Sequence, residues 1–258
     1  MKVAAYQAPL QAISSPAVLD LIREQVDGCE ANGVEILCCP EGALGGLADY
    51  ADQPAEIAID VASGQLEALL SPLASDRVTT ILGFTEIDRG RLYNSAAVFH
   101  RGKVAGIYRK VHPAIHRSVY MAGDEAPVFT VGGLTFGILI CRDSNFPEPA
   151  RSMAAQGAAV LFVPSNNGLP PAKGGLKLVD EARQADIAQA TENGVFVIRA
   201  DVAGHAGSLV SHGSSGIVDP NGRVLQSARQ LVPDLLMADI ETAPREPRGG
   251  EEDGSMMR

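Results

Sequence analysis

Three side chains that could act together in acyl chemistry each stand at or just beyond the end of an apolar run. Cys141 directly follows the apolar residues 137–140, Glu41 follows a run that ends at Pro40, and Lys110 lies at the end of a third. A thiol can attack a carbonyl carbon, a carboxylate can move protons, and an ammonium group can stabilise an oxyanion. Because α/β folds place active sites at the carboxyl ends of strands, the three are candidates for one site. Taken singly, each residue has a simpler interpretation, since a lone Cys is usually a core residue and a charged side chain at a strand end is usually solvated.

Longer motifs surround these residues and occur in a fixed order. They are Pro-Glu at 40–41, Tyr-Arg-Lys-Val-His at 108–112, Cys-Arg-Asp-Ser-Asn-Phe-Pro-Glu at 141–148, and two further segments at 191–197 and 213–222. The set resembles the nitrilase, or carbon-nitrogen hydrolase, superfamily, in its amidase and carbamoylase branch, and covers the chain from Met1 to about Asp239. The resemblance implies an α/β fold, a four-layer α-β-β-α sandwich with two mixed β-sheets. It also implies self-association as a homodimer or higher homo-oligomer.

The same resemblance implies a reaction and a role for each of the three residues. Cys141 would attack a small linear amide or N-carbamoyl compound, form a thioester and release ammonia or an amine. Glu41 would take the thiol proton and later activate water. Lys110, with the backbone N–H of Arg142, would hold the oxyanion. No cofactor is expected.

The chain departs from the superfamily pattern in the loop between the lysine and the cysteine. Many members carry a second glutamate there, shortly before a Gly-Asp pair. This loop has no carboxylate before Gly123, and by spacing His116 takes that place. His116 is therefore a candidate substrate contact, together with Asn166 and Asn167, which follow a predicted strand. Arg142 is a fourth, suited either to a substrate carboxylate or to a structural ion pair.

Composition limits the classes of partner. The 258 residues carry a formal charge of −10, and the sequence pI is about 4.9. Such acidity disfavours nucleic acid and anionic membranes, because both are polyanions. No apolar run approaches the ~20 residues of a membrane span, and the first residues are too polar for a signal peptide. We expect a soluble cytoplasmic protein whose partner is a small-molecule substrate.

No metal site is expected either. The four cysteines include no Cys-x-x-Cys pair, and adjacent Cys38 and Cys39 point to opposite faces of a predicted strand. His112 and His116 have helical metal-ligand spacing, but Pro113 lies between them and no third ligand is near.

Strand and helix patterns alternate along the chain. Helices are predicted from a cap at Ser14 or Ser15 to Asn32, and from about Leu176 to Asn193. Turn signals at 88–90 and 101–103 predict hairpins, so the sheets are mixed. Other helices are predicted at 65–74 and from near 147 to about 157. One domain is expected over 1–243, followed by a tail, 244–258, that is mobile or packs on a partner subunit.

Two other functions remain open at this level. Nitrile hydrolysis uses the same three residues, although that branch resembles Cys-Trp-Glu where this chain has Cys-Arg-Asp at 141–143. A catalytically silent ligand-binding protein of the same fold is favoured only by the altered loop at His116. Thioester formation at Cys141 would separate a silent protein from an enzyme.

Overall fold

The described part of the chain contains fifteen strands and four α-helices. The computed structural model describes residues 1–15 and 17–241. The strands are β1 (Lys2–Pro9), β2 (Ile36–Cys38), β3 (Thr79–Asp88), β4 (Arg91–His100), β5 (Lys103–Arg109), β6 (Tyr120–Met121), β7 (Phe129–Val131), β8 (Leu134–Ile138), β9 (Val160–Pro164), β10 (Phe196–Ala200), β11 (Val202–Ala206), β12 (Leu209–Ser211), β13 (Gly216–Val218), β14 (Val224–Ser227) and β15 (Asp234–Asp239). The helices are α1 (Val18–Ala31), α2 (Gln65–Leu70), α3 (Ala150–Ala155) and α4 (Leu176–Asn193).

The strands form two mixed sheets, as predicted. In the first sheet the order is β12-β11-β1-β2-β3-β4-β5, with β15 paired to β1 and β6 paired to β4. Its centre is parallel through β1, β2 and β3, and two antiparallel hairpins follow. The second sheet has the order β14-β13-β10-β9-β8-β7, parallel in the middle and antiparallel at both ends.

The layers follow from which face of each strand is apolar. One face of the first sheet packs against α1 and α2, and its other face packs against the second sheet. Helices α3 and α4 contact the second sheet and each other. Cys38 lies in the core between the sheets and Cys39 in the core beneath α1, as expected for neighbours in a strand. The predicted α-β-β-α sandwich is therefore confirmed.

The helix predictions were accurate in the interior and weaker at the ends. Helix α4 has the predicted bounds, and α1 ends next to Asn32. The predicted serine cap of α1 is wrong, because Ala17 precedes the helix and no side chain caps it. Helix α3 begins at Ala150 because Pro149 excludes helical backbone at the residue before it. The predicted tail, 244–258, lies outside the described residues.

Polar side chains that follow the carboxyl ends of four strands lie at one edge of the sandwich. Because β5 is antiparallel to β4, and β4 to β3, strand β5 runs in the same direction as β2. Glu41 comes shortly after β2, and Lys110 directly after β5. In the second sheet, Cys141 follows β8, and Asn166 and Asn167 follow the parallel strand β9.

Candidate active site

The strand ends surround one cavity of about 450 Å3. Glu41, Lys110 and Cys141 all line it, although up to 100 residues separate them along the chain (141 − 41). Asn166 and Asn167 line the same cavity. Arg142 lines it too, so the fold brings together the three residues with predicted chemical roles and three of the four predicted substrate contacts.

Glu41 and Lys110 form an ion pair at the bottom of the cavity. Both are only 2% exposed, and the Lys110 Nζ lies 2.5 Å from Glu41 Oε1. The Asn94 side-chain amide donates to the same oxygen at 2.7 Å. The backbone N–H of Asn166 donates to Glu41 Oε2 at 3.0 Å. Both carboxylate oxygens are therefore held, which fixes the orientation of Glu41.

Two glycines permit the close backbone approach that this arrangement needs. A Cβ atom on Gly83 of β3 would lie 2.6 Å from the Glu41 Cα. Gly123 packs in the same way on Arg109, and its N–H donates to the Lys110 carbonyl at 2.8 Å. A larger residue at either position would displace the segment that carries Glu41 or Lys110.

Lys110 remains charged despite its burial. Burial by itself would lower the pKa of its ammonium group, but Glu41 and then Cys141 raise it, and the net pKa lies above the ordinary lysine value. The side chain is consequently a protonated hydrogen-bond donor at neutral pH. Such a group is suited to stabilising negative charge on a substrate oxygen.

Cys141 has an unusual backbone conformation and a shifted thiol pKa. Its φ is +46°, in the left-handed region that only glycine adopts without cost, and it is the first residue of a 3₁₀ turn, Cys141–Asn145. Its Sγ lies 3.9 Å from Asn167 Oδ1. Burial and the charge of Glu41 raise the pKa of the thiol to about 11, although Lys110 opposes this shift. The thiol is therefore protonated at neutral pH, and attack on a carbonyl carbon requires a base.

Asp143 holds the turn that carries the thiol. Its carboxylate accepts hydrogen bonds from the Tyr108 hydroxyl at 2.7 Å, from the Ile140 N–H at 3.0 Å and from the His112 N–H at 2.8 Å. These bonds tie β5 and the loop after Lys110 to the turn. Asp143 thus links the lysine and cysteine segments.

The other predicted contacts differ in how they are held. Asn167 is fixed by Asp201, which accepts from its N–H at 3.0 Å and from its side-chain amide at 2.9 Å. Arg142 lines the cavity but is exposed, and it donates to the Ala114 carbonyl at 3.3 Å. His116 is exposed and lies outside the cavity lining. The structure therefore does not bring His116 to the site.

Several residues that line the cavity were not predicted from the sequence. Asn94 is buried in β4, where it and Ser95 interrupt the apolar residues on either side, and this interruption was an available signal. Asp49 and Tyr50 come from the 3₁₀ turn Ala48–Tyr50, in the segment after Glu41. Asp49 accepts a hydrogen bond from the Ser118 hydroxyl at 2.9 Å and so holds the loop in which many superfamily members carry a second glutamate.

A comparison with family models identifies the family of the chain. The family model described as "Carbon-nitrogen hydrolase" matches residues 2–246. The chain belongs to this family, which confirms the predicted class of enzyme. In residues 1–15 and 17–241, no helix is both long and apolar enough to cross a membrane.

Individual relatives include amidases and nitrilases. An (R)-stereoselective amidase from a Pseudomonas species is 33% identical over 215 residues, which are 82% of this chain and 75% of that one. A nitrilase from Pyrococcus abyssi is 31% identical over 72% of this chain and 68% of that one. Among solved structures, an amidase of Nesterenkonia sp. AN1 has 26% identity and a TM-score of 0.77, covering 93% of this chain and 90% of that one. A further structure of that amidase, a mutant, has acrylamide added at its active-site cysteine.

Proposed function

We propose that this enzyme hydrolyses small linear amides through a thioester on Cys141, with Glu41 as the base and Lys110 as the oxyanion donor. The observation that carries the proposal is the single cavity lined by a half-buried thiol and a buried carboxylate–ammonium pair. The amidases among its relatives support the substrate class.

The first step forms the thioester. Glu41 takes the thiol proton as Sγ bonds to the amide carbon, and the carbonyl electrons move to oxygen. The Lys110 ammonium and the backbone N–H of Arg142 donate to that oxyanion. When the carbonyl re-forms, the carbon–nitrogen bond breaks. The leaving nitrogen takes the proton from Glu41 and departs as ammonia or an amine.

The second step releases the acid. Water adds to the thioester carbon while Glu41 accepts one of its protons, and the same two donors hold the oxyanion. The carbon–sulfur bond then breaks, and the departing sulfur recovers the proton from Glu41. The thiol and the free carboxylic acid are the products, so Glu41 ends the cycle as it began.

The cavity walls favour an apolar acyl group. Its lining includes five large apolar or aromatic side chains, Leu47, Tyr50, Ile115, Leu169 and Leu178. Side chains of this kind stabilise a short aliphatic or aromatic acyl chain by burying it.

N-carbamoyl compounds are the second candidate substrates. Exposed charged side chains, Arg142, Lys173 and Glu181, also line the cavity and suit a charged substituent. An N-carbamoylputrescine amidase of Solanum tuberosum, 32% identical over 62% of this chain and 58% of its own length, supports this class.

The test is ammonia release from short amides, N-carbamoyl amino acids or amines, and nitriles, with Cys141→Ala measured in parallel. Release from amides that is lost in the variant is the expected result. A preference for nitriles would overturn the substrate class. Absence of release, with no covalent adduct by intact mass, would indicate a silent binding protein.

We also propose one domain over 1–243, a homo-oligomeric state and a cytoplasmic location. The family match over 2–246 supports the first, and the four free cysteines support a reducing compartment. Light scattering of the purified protein would test the oligomeric state, and a monomer would refute it.

A further inference from the structure

A second buried ion pair, between Arg199 of β10 and Asp186 of α4, adjoins the same cavity. Arg199 is 2% exposed and Asp186 is fully buried. The Arg199 Nη2 lies 2.5 Å from Asp186 Oδ1, and its Nε lies 2.9 Å from Oδ2. Desolvation makes a buried ion pair poor evidence for a purely stabilising role, because apolar residues of similar volume often serve as well.

Other hydrogen bonds of Arg199 reach the turn that carries the nucleophile and the segment after β9, which contacts the base. Its Nη2 also donates to the Ser144 hydroxyl at 2.8 Å, and that hydroxyl donates to the Cys141 carbonyl at 2.9 Å. Its Nη1 donates to the Ser165 hydroxyl at 2.5 Å. The Arg199 guanidinium thus hydrogen-bonds both to the turn after β8 and to the segment that follows β9.

Ser165, in the segment after β9, contacts Glu41, the proposed base. The Ser165 carbonyl accepts a hydrogen bond from the Glu41 N–H at 3.2 Å. Ser165 therefore contacts Arg199 through its hydroxyl and Glu41 through its carbonyl. Helix α4 adds support from the other side, because Gln189 donates to the Ser144 carbonyl at 2.9 Å and to the Phe146 carbonyl at 2.8 Å.

The turn after Cys141 needs such support because the nucleophile has a left-handed φ of +46°. Conformations of this kind persist only where the surrounding structure imposes them. The Ser144 bond to the Cys141 carbonyl acts on the strained residue itself. The Arg199–Asp186 pair fixes Ser144 with a geometry that a lysine could not reproduce.

The guanidinium also acts on the thiol through its charge. Arg199 lines the cavity, and its charge opposes the upward shift that burial and Glu41 impose on the pKa of Cys141. The charged groups that act on the thiol are Glu41, Lys110, Arg199 and Asp201. Removing Arg199 would take away one of the two cations, Lys110 and Arg199, that oppose the rise in this pKa.

We propose that Arg199, held by Asp186, is a positioning residue that fixes the reactive conformation of Cys141 through Ser144 and steadies Glu41 through Ser165. The proposal rests on the proposed function, since it assigns a role relative to that nucleophile and base.

Ser144→Ala is the first test, because it removes the hydroxyl that connects Arg199 to the Cys141 carbonyl and leaves the buried ion pair intact. We expect kcat to fall about tenfold while KM changes less than twofold. Ser71→Ala is the matched control, since the Ser71 hydroxyl makes the same type of bond to the carbonyl three residues earlier, at 2.9 Å and away from the site. An unchanged kcat in Ser144→Ala would show that Arg199 does not position Cys141 through Ser144.

The double variant Arg199→Met/Asp186→Leu removes both charges of the pair together, so neither member is left buried alone. Arg183, whose guanidinium lies 3.8 Å from Asp186, loses that partner but keeps its hydrogen bonds to the Ser215 carbonyl and the Ser227 hydroxyl. We expect it to retain the circular dichroism spectrum and to lose about a hundredfold in kcat. The pH profile of Cys141 alkylation by iodoacetamide should move to higher pH. A folded double variant with wild-type kcat and alkylation profile would refute the proposal.

Alkylation also separates this inference from the proposed function, because it needs no substrate. If the wild type hydrolyses no amide but the alkylation profile moves in the double variant, the substrate assignment fails and the positioning role stands. If hydrolysis is normal in the double variant and the profile is unchanged, the positioning role fails alone.

Discussion

The floor and the rim of the cavity are built differently. The floor consists of Glu41, Lys110, Asn94 and Cys141, and the rim is the exposed set Tyr50, Ile115, Arg142, Lys173 and Glu181. On the floor, both oxygens of the carboxylate have partners within 3.0 Å.

At the rim the side chains are held loosely. Tyr50 is 43% exposed and Ile115 is 40% exposed. The Arg142 guanidinium contacts one backbone carbonyl and stands 5.6 Å from the Phe146 ring.

This difference separates chemistry from selectivity. A buried, fully hydrogen-bonded network has one geometry, and catalysis needs reacting groups held within fractions of an ångström. Exposed side chains at the rim, most of which lie on loops and turns, tolerate replacement and determine which substituents are accepted. Changes on the floor should therefore act on kcat, and changes at the rim on KM.

The largest effect is expected at the nucleophile. Cys141→Ala removes the atom that forms the thioester, so kcat should fall at least about a thousandfold. Ammonia release measures it, and Cys29→Ala in α1, which removes a buried thiol remote from the cavity, is the control. Substantial turnover by Cys141→Ala would refute the mechanism in which the Cys141 thiol forms a thioester.

Lys110 should have the second largest effect. Lys110→Met retains the stem and removes the oxyanion donor, so kcat should fall by about two to three decades with little change in KM. Lys103→Met is the matched control, because Lys103 makes only a surface ion pair with Glu67 at 3.2 Å. A loss below threefold in Lys110→Met would mean that Lys110 has a structural role only.

The pH dependence of the thiol provides a third test. Because the pKa of Cys141 is raised to about 11, the thiolate fraction should increase about tenfold per pH unit from neutrality towards 11. The rate of alkylation by iodoacetamide in the absence of substrate should follow this increase. The other three cysteines are buried, so Cys141→Ala gives the background rate. A rate that levels off below pH 9 would show an activated thiolate instead.

The smallest effects are expected at the rim. Arg142→Ala should raise KM a few-fold for substrates with a carboxylate and leave kcat unchanged, because a single exposed ionic contact contributes little. His116→Ala should change neither parameter by more than about twofold, since His116 lies outside the cavity lining. Steady-state kinetics on matched charged and neutral amides would measure both, and a large loss of kcat in either would break the division between floor and rim.

Much of the fold was predictable because it depends on local pattern. Alternating apolar periodicity indicated the α/β class and the limits of α4, and turn residues indicated the hairpins of the first sheet. Helix ends were less predictable because capping depends on neighbours, as at Ala17, where no side chain caps α1. The side-by-side order of the strands in each sheet depends on pairing between distant segments and is not contained in any one window of sequence.

A cysteine, a glutamate and a lysine with possible chemical roles can be recognised in the sequence alone, because each is a polar group at the point where an apolar run stops. Their surroundings depend on the fold. Asn94, Arg199 and Asp186 matter through contacts with residues 13 to 55 positions away, and His116 lies outside the cavity lining despite its spacing. The physical reason is that hydrogen bonds and charge interactions act over a few ångströms in space, whereas a motif records only distance along the chain.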